Sequence, residues 1–225
     1  MSLTFQRARR PEQIEARRAA ILAAAQAMLA EKSVAAISLR ELSERVGLAK
    51  SNVLRYFDSR EAIFLEVLNA ECQDWLAELD TELGRPWPRK AQYANEIRVA
   101  TAIAGTLTRR TLLCELLGAM AGVLERNISA DCAHDFKARA LGNIEQLAEV
   151  VARHLPWLAA EAVAVYAEGV FMLVAGMFPF STPTEPVRAA MADMGMPDPE
   201  QRFVSGLGQS LTTWLIGASV QSSSQ

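Results

Sequence analysis

The sequence predicts an all-α fold of about nine helices, arranged as an N-terminal head and a larger C-terminal body. Three observations predict it. Apolar residues recur at intervals of three to four along nearly every segment, and no run alternates as a half-buried strand does. Helix start and stop chemistry punctuates the chain, most clearly Ser38-x-x-Glu41 and Gly47. Apolar residues make up 51% of the 225 residues, enough for a sizeable core.

Taken in order, Ile14, Ile21, Ala25, Met28 and Leu29 mark one face of a first helix, with Pro11 suited to its first turn. Ser38 and Glu41 form a capping box that opens a second helix, and Gly47 ends it where a positive φ is wanted. A third helix spans about Lys50 to Phe57. The stretch FDSREAIF restarts the chain into a long fourth helix striped by Phe64, Leu68, Cys72, Trp75, Leu79 and Leu83. GRPWPRK ends it with two prolines. Further helices are expected at roughly 91–106, 110–126, 131–155, 157–178 and 200–218. FPFSTPTEP and MGMPDPEQ read as long loops, and the Ser-rich end as a frayed tail.

Charge is divided unevenly. Residues 1–60 hold 11 Lys and Arg against 6 Asp and Glu, whereas the remaining 165 hold 12 against 20, so a head of +5 sits on a body of −8. A basic head on an acidic body suits a polyanionic partner for the head alone. Cys72, Cys114 and Cys132 are odd in number and widely spaced, which fits a reducing compartment rather than a disulfide framework. The basic start lacks an apolar signal region, and the long apolar stretches are broken by Glu or Gly. The expected location is the cytoplasm, with no membrane partner.

Residues Ser38 to Phe57 carry the clearest functional signal. Two short helices about one glycine bury too little to form a core, but they can present side chains to a partner. Leu39, Leu42, Val46, Leu48, Val53 and Phe57 point inward; Lys50, Ser51, Asn52, Arg55 and Tyr56 point outward. That is the sequence form of a helix-turn-helix, whose second helix can enter the DNA major groove. Lys suits guanine, Asn suits adenine and Ser suits either, while Arg and Tyr suit phosphate oxygens. The same residues also fit the exposed face of an ordinary helical bundle.

The segment AAILAAAQAMLAEKSVAAISLRELSERVGLAKSNVLRYFDSREAIFLEVL resembles the DNA-binding domain of the tetracycline-repressor (TetR) family of bacterial transcription regulators. It shares the ordered pattern of Ser/Thr cap, Ala/Ser-rich second helix, glycine turn, the aromatic pair Tyr56-Phe57, and a basic then acidic opening of the fourth helix. The resemblance implies that Arg40, Lys50, Ser51 and Asn52 face base edges. It implies phosphate contacts from Ser38, Arg55, Tyr56 and Arg60, with Ser38 also capping the second helix. Leu54 stands where a tyrosine is usual, Ala49 where Ser or Thr often caps, and Arg60 where lysine is usual, departures that alter individual phosphate contacts. Arg7, Arg9 and Arg10 precede the first helix as a basic arm, more often a solvated tail than a DNA contact.

In the body no catalytic arrangement stands out, so no enzyme activity and no cofactor are expected. Cys132-x-His134 beside Asp131 and Asp135 invites a metal reading, but the spacing is not a recurring zinc pattern, and Asp is ordinary at a helix start. No metal site is expected. YAEGVFMLVAGMFPF is apolar nearly all round, so its helix must be covered on more than one side. Phe203, Leu207, Leu211 and Trp214 form an apolar stripe on the last helix, read as a dimer interface. The resemblance implies that the last two long helices of each subunit pair into a four-helix bundle, and that middle helices enclose a small-molecule pocket. Glu115, Met120, Tyr166 and Phe171 are the candidate lining residues.

The chain therefore reads as three parts: a DNA-binding domain over 1–60, a connecting helix over about 61–83, and an effector-binding and dimerisation domain over 84–225. The expected function is a TetR-type repressor, a homodimer on a near-palindromic double-stranded operator, released by a small-molecule effector. The alternatives are an activator or co-repressor-dependent regulator or, from another class, an enzyme or carrier of apolar small molecules.

Overall fold

The computed structural model describes residues 11–89 and 91–222. Among them are ten α-helices and no strand. α1 runs Pro11–Glu31, α2 Leu39–Arg45, α3 Lys50–Val53 and α4 Arg60–Leu83. α5 runs Ala94–Thr108, α6 Thr111–Ala119, α7 Ala130–His154, α8 Ala160–Met177, α9 Glu185–Asp193 and α10 Pro199–Ser222.

The caps are placed by their sequence chemistry. Ser38 Oγ accepts the Glu41 N–H at 3.2 Å, and the Ser38 N–H donates to Glu41 Oε2 at 2.8 Å, which completes the capping box. These bonds, with Lys32 nearby, hold the Glu41 carboxyl down at about 2. Gly47 ends α2 at φ +66°, a conformation that a Cβ would strain. Ser59 and Ser129 cap α4 and α7 through the backbone of Ala62 and Cys132. Asp198 does the same ahead of α10, accepting from Glu200 and Gln201 at 2.9 and 3.1 Å.

α4 ties the halves together. It packs on α1 in the head and on α5, α6 and α7 in the body. Its interior is anchored by Trp75, whose indole N–H donates to Thr106 Oγ1 at 2.9 Å inside the core, so burying the ring strands no polar atom. α10 lies along α5, while α8 packs on α6, α7 and α10.

Three sequence expectations change. The third helix is only four residues long; residues 54–56 turn back toward α4 instead of continuing it. α9 interrupts what reads as loop: Pro186 fits its first turn and Gly195, at φ +67°, follows its end. It buries no residue, so it lacks the apolar stripe that reveals other helices. Ile14 is exposed, and the first helix turns Arg18 toward the rest of the head instead.

Candidate nucleic-acid interface and effector cavity

The head has a closed underside and an open front. Leu42, Val53 and Phe57 are buried with Ile21, Ala25, Met28 and Ile63. Arg18 crosses beneath: its guanidinium donates to the Tyr56 carbonyl and to Glu66, and lies 4.3 Å from the centre of the Phe57 ring. This clamp fixes the end of the helix-turn-helix onto α1 and α4. Sequence reasoning missed it, because an arginine on a helix near a basic terminus reads as solvated.

On the front, Lys50, Ser51, Asn52 and Arg55 are exposed side by side on α3 and the turn after it, and Tyr56 is half-buried behind them. Lys50 and Arg55 make no salt bridge among the described residues. Arg40 projects with its side chain 84% exposed and makes only a surface pair with Glu44 at 2.9 Å, a weak tie that a phosphate or base can displace. These residues are all accessible to solvent.

Two of the expected phosphate contacts are differently employed. Ser38 spends its hydroxyl on Glu41, as donor and as acceptor. Arg60 is turned inward, its side chain only 20% exposed. Its Nη1 donates to the Ile37 carbonyl at 2.6 Å and its Nη2 to Glu61 Oε1 at 2.7 Å. In this position Arg60 joins α4 to the segment before α2 and does not present its charge to solvent. Arg7, Arg9 and Arg10 lie outside the described residues.

The body holds a cavity of about 450 Å³ among α4, the end of α6, α7 and α8, within the range of small-molecule pockets. Leu117, Met120, Phe136, Ile144 and Phe171 give it an apolar wall. Cys72 adds a thiol pushed up to about 12 by burial, so it stays neutral. Buried Asn143 and half-buried Asn69 supply uncharged polar atoms, and Lys137 and Glu168 stand at exposed positions on the rim. After α6 the chain widens into one π-helical turn, Met120–Leu124, which brings Met120 and Ala121 to the cavity. Such turns are frequent at functional sites.

Met120 and Phe171 are thus at the cavity, and Glu115 and Tyr166 are not. Glu115 faces the head, where its Oε1 accepts the Val34 N–H at 2.9 Å and caps a 3-10 turn over Val34–Ala36. Tyr166 is fully buried on another side of α8, edge-on to Trp214 with ring centres 5.7 Å apart. Its hydroxyl has no hydrogen-bond partner among the described residues, and burial raises its pKa. Spacing marks a residue as inward but does not say which of several buried spaces it meets.

The proposed dimer stripe needs the same correction. Phe203, Leu207 and Leu211 are buried within the protomer, on a helix that packs against α5, α8 and the turn after α8. Phe203 also meets Phe178 edge-on at 5.3 Å. Trp214 is half-buried and lies over Gly169 of α8, where a Cβ would come within 1.9 Å of its ring. What α8 and α10 leave uncovered lies elsewhere: Val165 and Met172 are 52% and 63% exposed on α8, and Val165 borders Trp214 and Gly217 of α10. α8 is long and apolar enough to cross a membrane by length and composition alone.

No group of three or more His, Cys, Asp or Glu side chains that could hold a metal occurs among the described residues. His134 is exposed and only 3.7 Å from its neighbour Asp135.

Residues 21–67 match the family model described as "Bacterial regulatory proteins, tetR family", and residues 69–222 match "Tetracyclin repressor-like, C-terminal domain". The chain belongs to the TetR family. Over 71 residues the chain is 34% identical to the HTH-type transcriptional regulator RutR of Escherichia coli K12. That match spans 32% of this chain and 34% of RutR. Across nearly the whole chain the fold is shared with other TetR-family structures. The repressor AlkX from Dietzia, implicated in biodegradation of n-alkanes, aligns at TM-score 0.53 and 16% identity, covering 90% of this chain and 96% of AlkX. FadR from Bacillus subtilis, solved with stearoyl-CoA, aligns at 0.52 and 13% identity, covering 89% and 98%. The TetR-family boundary at residues 67–69 falls within α4, the helix common to head and body.

Proposed function

We propose that this chain is a ligand-responsive transcriptional repressor that binds a near-palindromic operator as a homodimer. The head, through about residue 60, carries the operator contacts; α4 connects it to a body over about 84–225 that holds effector and partner. Lys50, Ser51 and Asn52 read base edges with help from Arg40, while Arg55 and Tyr56 hold phosphates. Arg60 and Ser38 serve chiefly to fix the head's shape, given the bonds they already make.

One observation carries the coupling. The α6 segment and its π-helical turn wall the cavity through Leu117 and Met120, and Glu115, on the same helix, holds the head through Val34. Asp58 in the head also bonds Ser129, the cap of α7, whose Phe136 lines the same cavity. An effector that fits only one setting of these helices shifts the head by its differential affinity for the two settings. In a dimer, moving the heads from a separation of about 34 Å, one turn of duplex, costs operator affinity. AlkX, implicated in biodegradation of n-alkanes, and FadR, solved with stearoyl-CoA, support an apolar effector for a cavity walled as this one is.

The exposed α8 and α10 face, with Val165 at its centre and small Gly217 beside Trp214, fits the subunit seam better than the buried stripe. The test of the reading is a pair of substitutions. Lys50→Ala and Asn52→Ala should each cost roughly 1–3 kcal/mol on the operator and relax preference at particular base pairs. Unchanged operator affinity in both variants, measured by fluorescence anisotropy, would place another element in the groove.

A further inference from the structure

The polar atoms of the α4–α8 cavity are ordered into a ladder of amides. Gln73 Nε2 donates to Asn143 Oδ1, and Asn143 Nδ2 donates to Asn69 Oδ1 at 3.2 Å. Asn143 is 4% exposed, so its orientation is set by these two bonds and not by water. Each rung uses one donor and one acceptor. The ladder therefore ends on the Asn69 amide nitrogen, which makes no hydrogen bond to any described residue and belongs to the cavity lining.

The charged groups nearby are not available in the same way. Lys137 already holds Glu125 at 2.6 Å, with its side chain 60% exposed. Glu168 is exposed on α8 at the mouth. Among the described residues no charged side chain lining the cavity is buried, so an ionised ligand group carried inward meets no counter-charge. Burying an unpaired charge is far more costly than burying a carbonyl that gains a donor.

We propose that the cavity selects an uncharged, mostly apolar molecule bearing a hydrogen-bond acceptor, and that Asn69 Nδ2–H is the donor that reads it. This rests on the reading of the cavity as the effector site and names the chemical class it takes. Asn69 is the specificity-determining residue; Asn143 and Gln73 position it. A ketone, ester, amide or ether oxygen on an apolar frame meets the requirement, while a carboxylate or a quaternary ammonium of the same size does not.

The experiment is calorimetric titration of the full chain at pH 8 with four probes on one naphthalene frame: 2-acetylnaphthalene, 2-ethylnaphthalene, 2-naphthoate and trimethyl-2-naphthylammonium. The acetyl compound should bind up to about tenfold tighter than the ethyl compound, the scale of one added hydrogen bond. Both charged probes should bind more weakly than either. Asn69→Asp keeps an acceptor for Asn143 but replaces the free donor, and should erase the preference for acetyl over ethyl. Asn69→Leu should do the same if it folds. Tighter binding of either charged probe, an intact preference in Asn69→Asp, or no binding of the acetyl probe would each overturn the proposal. Operator binding is measured on the same samples. A protein that holds its operator but fails these titrations sinks this inference alone; one that shows the predicted selectivity but binds no operator sinks the regulator reading and leaves this inference supported.

Discussion

Replacing Gly169 by alanine tests how α8 and α10 meet. In an open helix Gly→Ala stabilises by about 1 kcal/mol, because alanine loses less backbone entropy. Here the new methyl would stand 1.9 Å from Trp214 Cη2 and 2.3 Å from Cζ3, against about 3.5–4.0 Å for relaxed carbon contacts. The indole has to withdraw by about 1.5 Å, and in doing so leaves its edge contact with Tyr166. Overpacking costs roughly 1–3 kcal/mol and the aromatic pair about 0.5–1.5 kcal/mol. Set against the propensity gain, the net loss is roughly 1–3 kcal/mol. Urea unfolding at fixed protein concentration measures it, since partner binding adds to apparent stability. The same change made in Trp214→Leu, where the ring is gone, should instead stabilise by about 1 kcal/mol. A stabilised single variant Gly169→Ala would refute the packing described for Trp214.

The remaining predictions concern core, coupling and pH. Leu211→Ala should destabilise by about 2–5 kcal/mol, as truncation of a fully buried leucine does, without itself exposing a new face between subunits; sedimentation and urea unfolding separate the two. Glu115→Ala removes the acceptor for Val34 N–H, so hydrogen exchange at that amide should accelerate by about tenfold, while exchange deeper in α4 stays unchanged. His154 is 1% exposed, and burial followed by the Arg98 charge lowers its pKa below the ordinary 6.5. The unfolded chain therefore binds a proton below 6.5 that the folded chain refuses. The stability from neutral His154 is fully present above 6.5 and lost as pH falls from there toward the lowered folded value, by at most about 1.4 kcal/mol per pH unit. His154→Gln should flatten the fall in melting temperature between pH 7 and 5.5; an unchanged slope contradicts the buried, neutral imidazole.

The caps, the turn and the buried positions of the helix-turn-helix were legible because their signals are local. A capping box needs two residues three apart, a helix stop needs one glycine, and an exposed donor set needs only the correct helical phase. Arg18 and Arg60 were not legible, because their partners, Tyr56, Glu66 and Ile37, are distant in sequence and an arginine is solvated by default. In the body, periodicity located the faces of the helices but not what covers them. Phe203, Leu207 and Leu211 form a true apolar stripe, yet the same chain covers it. Glu115 sat on the expected helix but on its head-facing side. The amide ladder of Gln73, Asn143 and Asn69 joins positions some seventy residues apart, and no local pattern announces such a pairing.

The central claim is that a dimer sets two α3 segments on one operator. The direct measurement is binding of the full chain to an inverted repeat from its own upstream region, with protein mass on the duplex read by sedimentation. The account predicts two protomers per duplex at physiological salt. It also predicts loss of that complex when one half-site is scrambled or when about five base pairs, half a helical turn, are inserted between the half-sites. Equal binding to a scrambled duplex, or a complex indifferent to the inserted half turn, would contradict it.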